Sequence, residues 1–472
     1  MRSLINTSPQ DFRSPRPPTP DPRFPAPPVP GPFECRLLTA VSVELQSIFS
    51  GGITMPETKK KSKGKIALKV LLIIFCIIAA IAIITAVTNT IIKSQQIKYA
   101  TSFTPIEYDD TRLVPEQDAE GYWTYTTDND LRIVQLTDVH IGGGWMSYSK
   151  DRKAMDTVAA LLKAEKPDLV IVVGDISYPV PFQSGTLNNK TAALEFAALM
   201  DTLDCYWTVT YGNHDTEAYS YYSREDLSEL YMDEKYSKCI FEKGPDDIDG
   251  SGNSAILVKN TTGVITQVLF YIDSNTYTDG DILGIKWYYD NVHENQIAWY
   301  KQLVEEFTAQ NKALGADMPK SLVFLHIPCD EYLEAFEEFR DNGYKDTEDV
   351  KYIDGIIGET GKLSYGPVHD DQLFETALEL GSTQGFFCGH DHYNNISLEY
   401  KGIRLTYNLA VDYLAYIGIE NKGSQRGCSV ITVSPDGSFD VERVNYYKSG
   451  LGDESEITYQ FEDVTYQYIE EE

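Results

Sequence analysis

The sequence predicts an α/β domain, and three observations point to it: short apolar runs rich in β-branched residues, amphipathic stretches alternating with them, and polar His/Asp motifs placed where the apolar runs end. Residues 131–137 (LRIVQLT) and 168–173 (DLVIVV) read as near-continuous apolar strands, which suits a sheet buried on both faces. Between them, Met155, Val158, Leu161 and Leu162 recur at helical spacing over 153–163, giving a strand–helix–strand unit. The alternation continues with a helix over 191–203, strands at 205–210, 254–258 and 266–272, a long helix over 295–312 and a strand at 321–326. Helices near 330–340 and 371–380 follow, and from 384 onward the pattern turns to strands at 384–388, 396–400, 403–408, 427–433 and 438–444. Residues 216–252 and 341–370 differ in texture and read as insertions over a site.

The ends of the 472-residue chain do not belong to this core. Eleven of the 22 prolines fall in residues 1–32, so 1–54 is expected to be a Pro-rich disordered segment, and Met55 ahead of the lysine cluster raises an over-extended start as the explanation for it. Residues 55–69 form a basic flank, and 70–92 is an apolar run of 23 residues, about 34 Å as a helix and therefore long enough to span a bilayer. Residues 93–129 are expected to be linker and domain entry, 130–450 the domain, and 451–472 an acidic tail. Six lysines between 59 and 69 against Glu107, Asp109 and Asp110 beyond the run predict, by the positive-inside rule, a single-pass signal-anchor. The N-terminus would be cytoplasmic and the domain extracytoplasmic.

Residues 1–93 carry a net charge of +7, leaving −38 on the remainder of a chain whose total is −31. So acidic a body repels phosphate backbones, and nucleic acid is not expected as a bulk partner. Seven cysteines with no CxxC give neither a disulfide framework nor a zinc-finger spacing; a pair such as Cys205 with Cys239 is left open.

The chemistry concentrates in five motifs. Asp138 and His140 follow strand 131–137; Gly174-Asp175 follows 168–173; Gly212-Asn213-His214-Asp215 follows 205–210; His326 ends 321–326; and Gly389-His390-Asp391-His392 follows 384–388. Carboxyl ends of strands are where α/β sheets hold ligands and reacting groups, because the chain there enters exposed loops on a rigid base. Asp138, His140, Asp175, Asn213, His326, His390 and His392 are seven candidate metal ligands. They overfill one tetrahedral ion and supply two, and mixed imidazole and carboxylate donors suit Fe, Zn or Mn. His293 reads as a helix-start residue, His369 as a surface-loop residue, and Asp391 as pointing away from the site or orienting one of its neighbours.

In these five ordered motifs, most of residues 130–445 resembles the calcineurin-like metallophosphoesterase superfamily. SLVFLHIP (321–328), QIAWY (296–300) and LRIVQLTDVHIG resemble its purple-acid-phosphatase-like branch. The resemblance implies a four-layer sandwich of two mixed sheets flanked by helices. It implies two divalent or trivalent metal ions, the first held by Asp138, His140, Asp175 and His392, the second by Asp175, Asn213, His326 and His390, with Asp175 bridging. It also implies catalysis by His214, oriented by Asp215, and hydrolysis of a phosphoester substrate by metal-activated hydroxide attack on phosphorus. Gly174-Asp175-Ile-Ser-Tyr178 matches the spacing by which purple acid phosphatases place a tyrosinate on iron, but His140 already fills that position. Tyr178 is therefore expected to pack beside the site. Phosphomonoesters are the first expectation for the substrate. A phosphodiesterase or pyrophosphohydrolase acting on nucleotides or lipid head groups is the alternative, and a catalytically dead metal-binding surface protein the third.

Overall fold

A computed structural model describes residues 63–108, 112–359, 362–421 and 425–457. The expected segment 1–54 with Cys35, most of the basic flank, and residues 458–472 of the expected tail 451–472 lie outside the described residues.

The chain divides at Phe75. The described part of the first unit is the start of helix α1 (Lys63–Ala100). The stretch Ala67–Ala100 is long and apolar enough to cross a membrane, a property that anchors share with signal sequences.

The unit from Cys76 onward holds the remainder of α1 and two sheets. Its strands are β1 (Glu116–Gln117), β2 (Trp123–Thr126), β3 (Leu131–Leu136), β4 (Leu169–Val173), β5 (Trp207–Thr210), β6 (Ser254–Lys259) and β7 (Ile265–Tyr271). They continue with β8 (Lys320–Phe324), β9 (Val350–Asp354), β10 (Thr383–Cys388), β11 (Ser397–Tyr400), β12 (Ile403–Tyr407), β13 (Gly427–Val433) and β14 (Phe439–Asn445). One sheet runs β14-β13-β3-β4-β5 and the other β1-β2-β6-β7-β8-β10-β12-β11-β9. In the first, β3, β4 and β5 are parallel; in the second, β7, β8, β10 and β12 are parallel.

Strand alternation builds the layers. Leu131 and Ile133 of β3, with Leu169, Ile171 and Val173 of β4, meet Leu322, Phe324 and Phe387 of the other sheet in a shared inner core. Val134 and Leu136 turn outward to helices α2 (Tyr148–Glu165) and α4 (Asn189–Leu203). On the far side, Val323, Phe386 and Cys388 pack under α6 (Glu294–Ala313) and α7 (Glu331–Asp341). The result is the expected four-layer arrangement of two sheets flanked by helices.

Three elements differ from the sequence expectation. Within 93–129, expected as linker and domain entry, regular elements occur that the sequence reading did not place: α1 continues through Ala100, and β2 pairs in parallel with β6. The last turns of α1 dock by polar contacts a hydropathy pattern does not show. Gln96 is fully buried, its amide donates to the Tyr148 carbonyl at 3.0 Å, and Arg152 donates back to its oxygen at 2.9 Å. Within the expected insertion 341–370, β9 is an edge strand antiparallel to β11. The expected insertion 216–252 contains a short capped helix, Arg224–Tyr231. Described cysteines, Cys205 and Cys239 among them, are free thiols.

Candidate metal centre

The parallel strands of both sheets end at one rim, and the five motifs leave from those ends. Asp138 and His140 follow β3, Asp175 follows β4, Asn213 and His214 follow β5, His326 follows β8, and His390 and His392 follow β10. Four of these residues have left-handed backbones: Asp138 (φ 51°), His140 (50°), Asp175 (55°) and His390 (76°). Such conformations cost of order 1–3 kcal/mol each and persist where the surrounding structure enforces them, typically at functional sites. The glycines before the motifs allow the chains to close in. A Cβ on Gly174, itself at φ 77°, would lie 2.4 Å from the His326 ring, and one on Gly389 would lie 1.9 Å from the Thr137 hydroxyl.

The structure gathers six of the seven candidate ligands in two buried groups, with the seventh, Asn213, buried beside them. Asp138, His140 and His392 offer ligand atoms within 4.8 Å of one another, as do Asp175, His326 and His390. Asp175 Oδ2 lies 3.1 Å from His326 Nε2 and 3.6 Å from His140 Nε2, which places it between the groups. Asn213 lies beside them: its backbone neighbour His214 donates its N–H to Asp175 Oδ1 at 2.8 Å.

Among the described residues, a division of labour runs through most of the set, His140 excepted, in which one polar atom fixes the side chain while the other is turned to the centre. Asp138 accepts from the His390 N–H through Oδ2 at 3.0 Å, and its Oδ1 has no partner. Asp175 spends Oδ1 on His214 and leaves Oδ2 without one. Asn213 donates through Nδ2 to the Tyr277 hydroxyl at 2.9 Å, and its Oδ1 is orphaned. His326 donates from Nδ1 to the Val173 carbonyl at 2.9 Å, and His392 from Nδ1 to Asp412 Oδ2 at 2.8 Å, so both turn Nε2 inward. Neither ring nitrogen of His140 has a partner, nor does Nε2 of His390. Buried polar atoms are rarely left unpaired, and this many at one point fit coordination to cations.

The electrostatics agree. Burial opposes ionisation of Asp138, yet His392 and His140 hold its carboxyl well below the ordinary range. Asp175 is likewise lowered against burial by His326 and His214. Burial would lower His326, but the Asp175 carboxylate pushes it up to about 9. Two carboxylates kept ionised in a dry pocket need positive charge.

Asp215 departs from its expected role. It does not touch the His214 ring; its carboxylate accepts the backbone N–H groups of Asp175 (2.9 Å), Ser177 (2.8 Å) and Gly212 (2.9 Å), clamping two motif loops together. The partner of His214 is Glu217, with Oε1 2.6 Å from Nδ1. Glu217 and Asp412 are both missing from the sequence reading. Asp412 sits five residues beyond β12, the parallel neighbour of β10, and that strand-end position is the one signal that marks it. Tyr178 packs edge-on to His140 and His214, and its hydroxyl donates to Gln183 at 3.1 Å, as expected of a residue beside the site. Asp391 is not in either ligand group: its Oδ2 accepts from the Tyr407 hydroxyl at 2.8 Å, and the residue borders the cleft. His293 precedes α6 and donates its backbone N–H to Gln296 Oε1 at 2.9 Å, while His369 is exposed.

The calcineurin-like phosphoesterase family model matches residues 131–394. Curated relatives from Arabidopsis thaliana include "Probable inactive purple acid phosphatase 14", 27% identical over 316 residues (62% of this chain, 73% of the relative). "Probable inactive purple acid phosphatase 29" is 23% identical over 333 residues (66% and 78%). Among solved structures, a dimetal phosphatase from Danio rerio aligns at 12% identity with a TM-score of 0.42, covering 65% of this chain and 94% of that one.

Proposed function

The chain belongs to the calcineurin-like phosphoesterase family, and from that premise we propose that it is a membrane-anchored, dinuclear-metal phosphoesterase that hydrolyses phosphomonoesters. The observation that carries this reading is the set of orphaned buried donor atoms on Asp138, His140, Asp175, Asn213 and His390, all facing one centre. On this reading Asp138, His140, Asp175 and His392 hold one ion and Asp175, Asn213, His326 and His390 the other. When bound, the two ions would polarise the phosphoryl oxygens and supply an activated water.

The chain's own residues then do the rest. His214 stands at the cleft floor, where its ring can give a proton to the departing alkoxide. Glu217 fixes the ring through Nδ1 and thereby aims Nε2. Asp215 keeps the Asp175 and Asn213 loops in register. The anchor would be the apolar run 70–92, with the basic flank in the cytoplasm and the domain 130–450 outside it.

The printed names of the relatives favour a second reading, a metal-binding protein without turnover. Metal analysis of the purified chain, combined with a panel of monoesters and diesters, separates the two. About two ions per chain with monoester turnover supports the first reading, two ions without turnover supports the second, and correctly folded protein that retains no metal removes both.

A further inference from the structure

The cleft above the centre has a volume of about 410 Å³, with His214, His390 and His392 on its floor. Its walls are aromatic and aliphatic: Trp287, Tyr289, Tyr365, Tyr416, Leu283 and Val180. No Lys or Arg is among the described residues that line it. Each of its three carboxylates is engaged through one oxygen: Glu217 with His214, Asp391 with Tyr407, and Glu359 accepting from the Tyr416 hydroxyl at 3.1 Å, while Glu217 Oε2 and Asp391 Oδ1 have no partner among the described residues. The nearby ammonium of Lys362 rests on the Tyr365 ring, 5.1 Å from its centroid.

One wall is an unusual loop. Its base is built into the centre, since Tyr277 and Tyr289 stack at 5.4 Å, Tyr289 meets His390 edge-on at 4.4 Å, and the Tyr277 hydroxyl donates to Glu217 at 3.2 Å. Its tip exposes Ile282 (59%), Ile285 (70%) and Trp287 (56%). Leu283 and Trp287 hold left-handed backbones at φ 56° and 57°, an outlying conformation for side chains of that bulk. Across the mouth, Trp287 meets Tyr365 at a right angle, 5.8 Å between centroids. Exposed apolar side chains and a strained backbone at the lip of a cleft are costs that a ligand contact can offset.

We propose that this cleft selects phosphomonoesters whose alcohol is a flat, apolar, aromatic group carrying no second phosphate. The inference rests on the phosphoesterase reading and narrows it. A nucleoside diphosphate or pyrophosphate brings a second phosphoryl group, which proteins pair with Arg or Lys, and the described residues of the walls include neither. An aromatic ring, by contrast, finds faces and edges on Trp287, Tyr365 and Tyr289.

The test compares benzyl with ethyl phosphate, whose leaving alcohols are of similar basicity, and adds ADP, all on the metal-loaded full chain in detergent. Binding of benzylphosphonate and ethylphosphonate is measured in parallel by calorimetry. Burial of one phenyl ring predicts about tenfold or more in favour of the benzyl compound, in kcat/KM and in Kd. Trp287→Ala should bring both ratios close to one, and Trp287→Phe should keep most of the preference. Equal handling of the two compounds, a preference that survives Trp287→Ala, or faster cleavage of ADP overturns the inference. Preferential binding of benzylphosphonate with no turnover of any ester leaves the cleft's selectivity standing and removes the hydrolase reading instead.

Discussion

Glu217 holds His214: the two side chains meet at 2.6 Å through Oε1 and Nδ1, and the same oxygen accepts from Tyr277, whose hydroxyl in turn receives the amide of Asn213. A candidate ligand and the candidate proton donor are thus tied by one chain of hydrogen bonds. His214→Ala is expected to lower kcat roughly 10²–10⁴-fold, with the larger loss on esters of more basic alcohols, because they need the proton most. Glu217→Gln should cause part of that loss and leave metal content unchanged. Equal losses on phenyl and ethyl phosphate in His214→Ala would argue against proton donation.

Asp215 should behave differently. Its carboxylate satisfies three buried backbone N–H groups, and Asp215→Ala strands all of them. Each orphaned buried donor costs about 1–3 kcal/mol, so a loss of about 3 kcal/mol or more in unfolding free energy is expected, accompanied by weaker metal retention. Denaturant unfolding of the variant checks it. A stable, metal-replete Asp215→Ala protein with a slow chemical step would restore the role in orienting His214 that the family resemblance implied.

Asp412 receives the Nδ1–H of His392 and is itself fixed by the N–H groups of Leu414 (2.6 Å) and Ala415 (2.9 Å). Loss of a carboxylate that orients a metal-binding imidazole typically costs 10–100-fold in metal affinity or activity, so Asp412→Ala should weaken binding by about that factor. Competition with a chelator of known affinity measures the change. An unaltered affinity would mean that His392 is held without Asp412.

Asp412 also shows where the sequence stops being legible. The strands were readable because burial on both faces leaves unbroken apolar runs, and the seven candidate ligands because polar motifs stand at the ends of those runs. Glu217 and Asp412 act through one side chain each, on loops whose path is set by tertiary packing, so no spacing announces them. The role that the family resemblance implied for Asp215, orienting His214, fails for a local reason: the 3₁₀ turn His214–Thr216 sends consecutive side chains in different directions. Likewise, β2 and β9 are short strands whose partners, β6 and β11, lie far along the chain. The continuation of α1 into the folded unit depends on Asn89 and Gln96, polar residues that read as interruptions of an apolar run or as linker. Asn89 donates to the Gly185 carbonyl and accepts from the Trp145 N–H, both at 3.0 Å.

Metal removal should destabilise the fold. Asp138 and Asp175 are buried anions whose free oxygens have no hydrogen-bond partner among the described residues. Ions that bind the folded state alone stabilise it by about 2.7 kcal/mol at a free concentration 100 times Kd. Treatment with EDTA should therefore lower Tm by several degrees and abolish ester turnover, and returning Zn, Mn or Fe should recover both. A Tm indifferent to chelation would show that the folded chain retains no ion at these residues.

A pair of carboxyls away from the centre gives the pH dependence. Glu195 on α4 is fully buried, and neither of its oxygens has a hydrogen-bond partner among the described residues; burial, with Asp151 nearby, holds its carboxyl well above the usual range. Burial also pushes Asp151 up to about 7, against N–H donation from Gly142 and Gly143. For acids raised in the folded state, the folded chain binds protons that the unfolded chain has lost. Their stabilising share is present below the ordinary carboxyl range and declines as pH climbs, through about 7 for Asp151 and further for Glu195, by up to about 1.4 kcal/mol per pH unit per group. Glu195→Gln mimics the neutral acid and removes that group's decline. The variant should exceed the wild type in Tm slightly at pH 5 and by a wider margin at pH 8. Metal loading also changes with pH, but it acts on both proteins alike, so the difference between them at each pH reports Glu195. A margin that stays constant from pH 5 to 8 would show that Glu195 is already ionised in the folded chain.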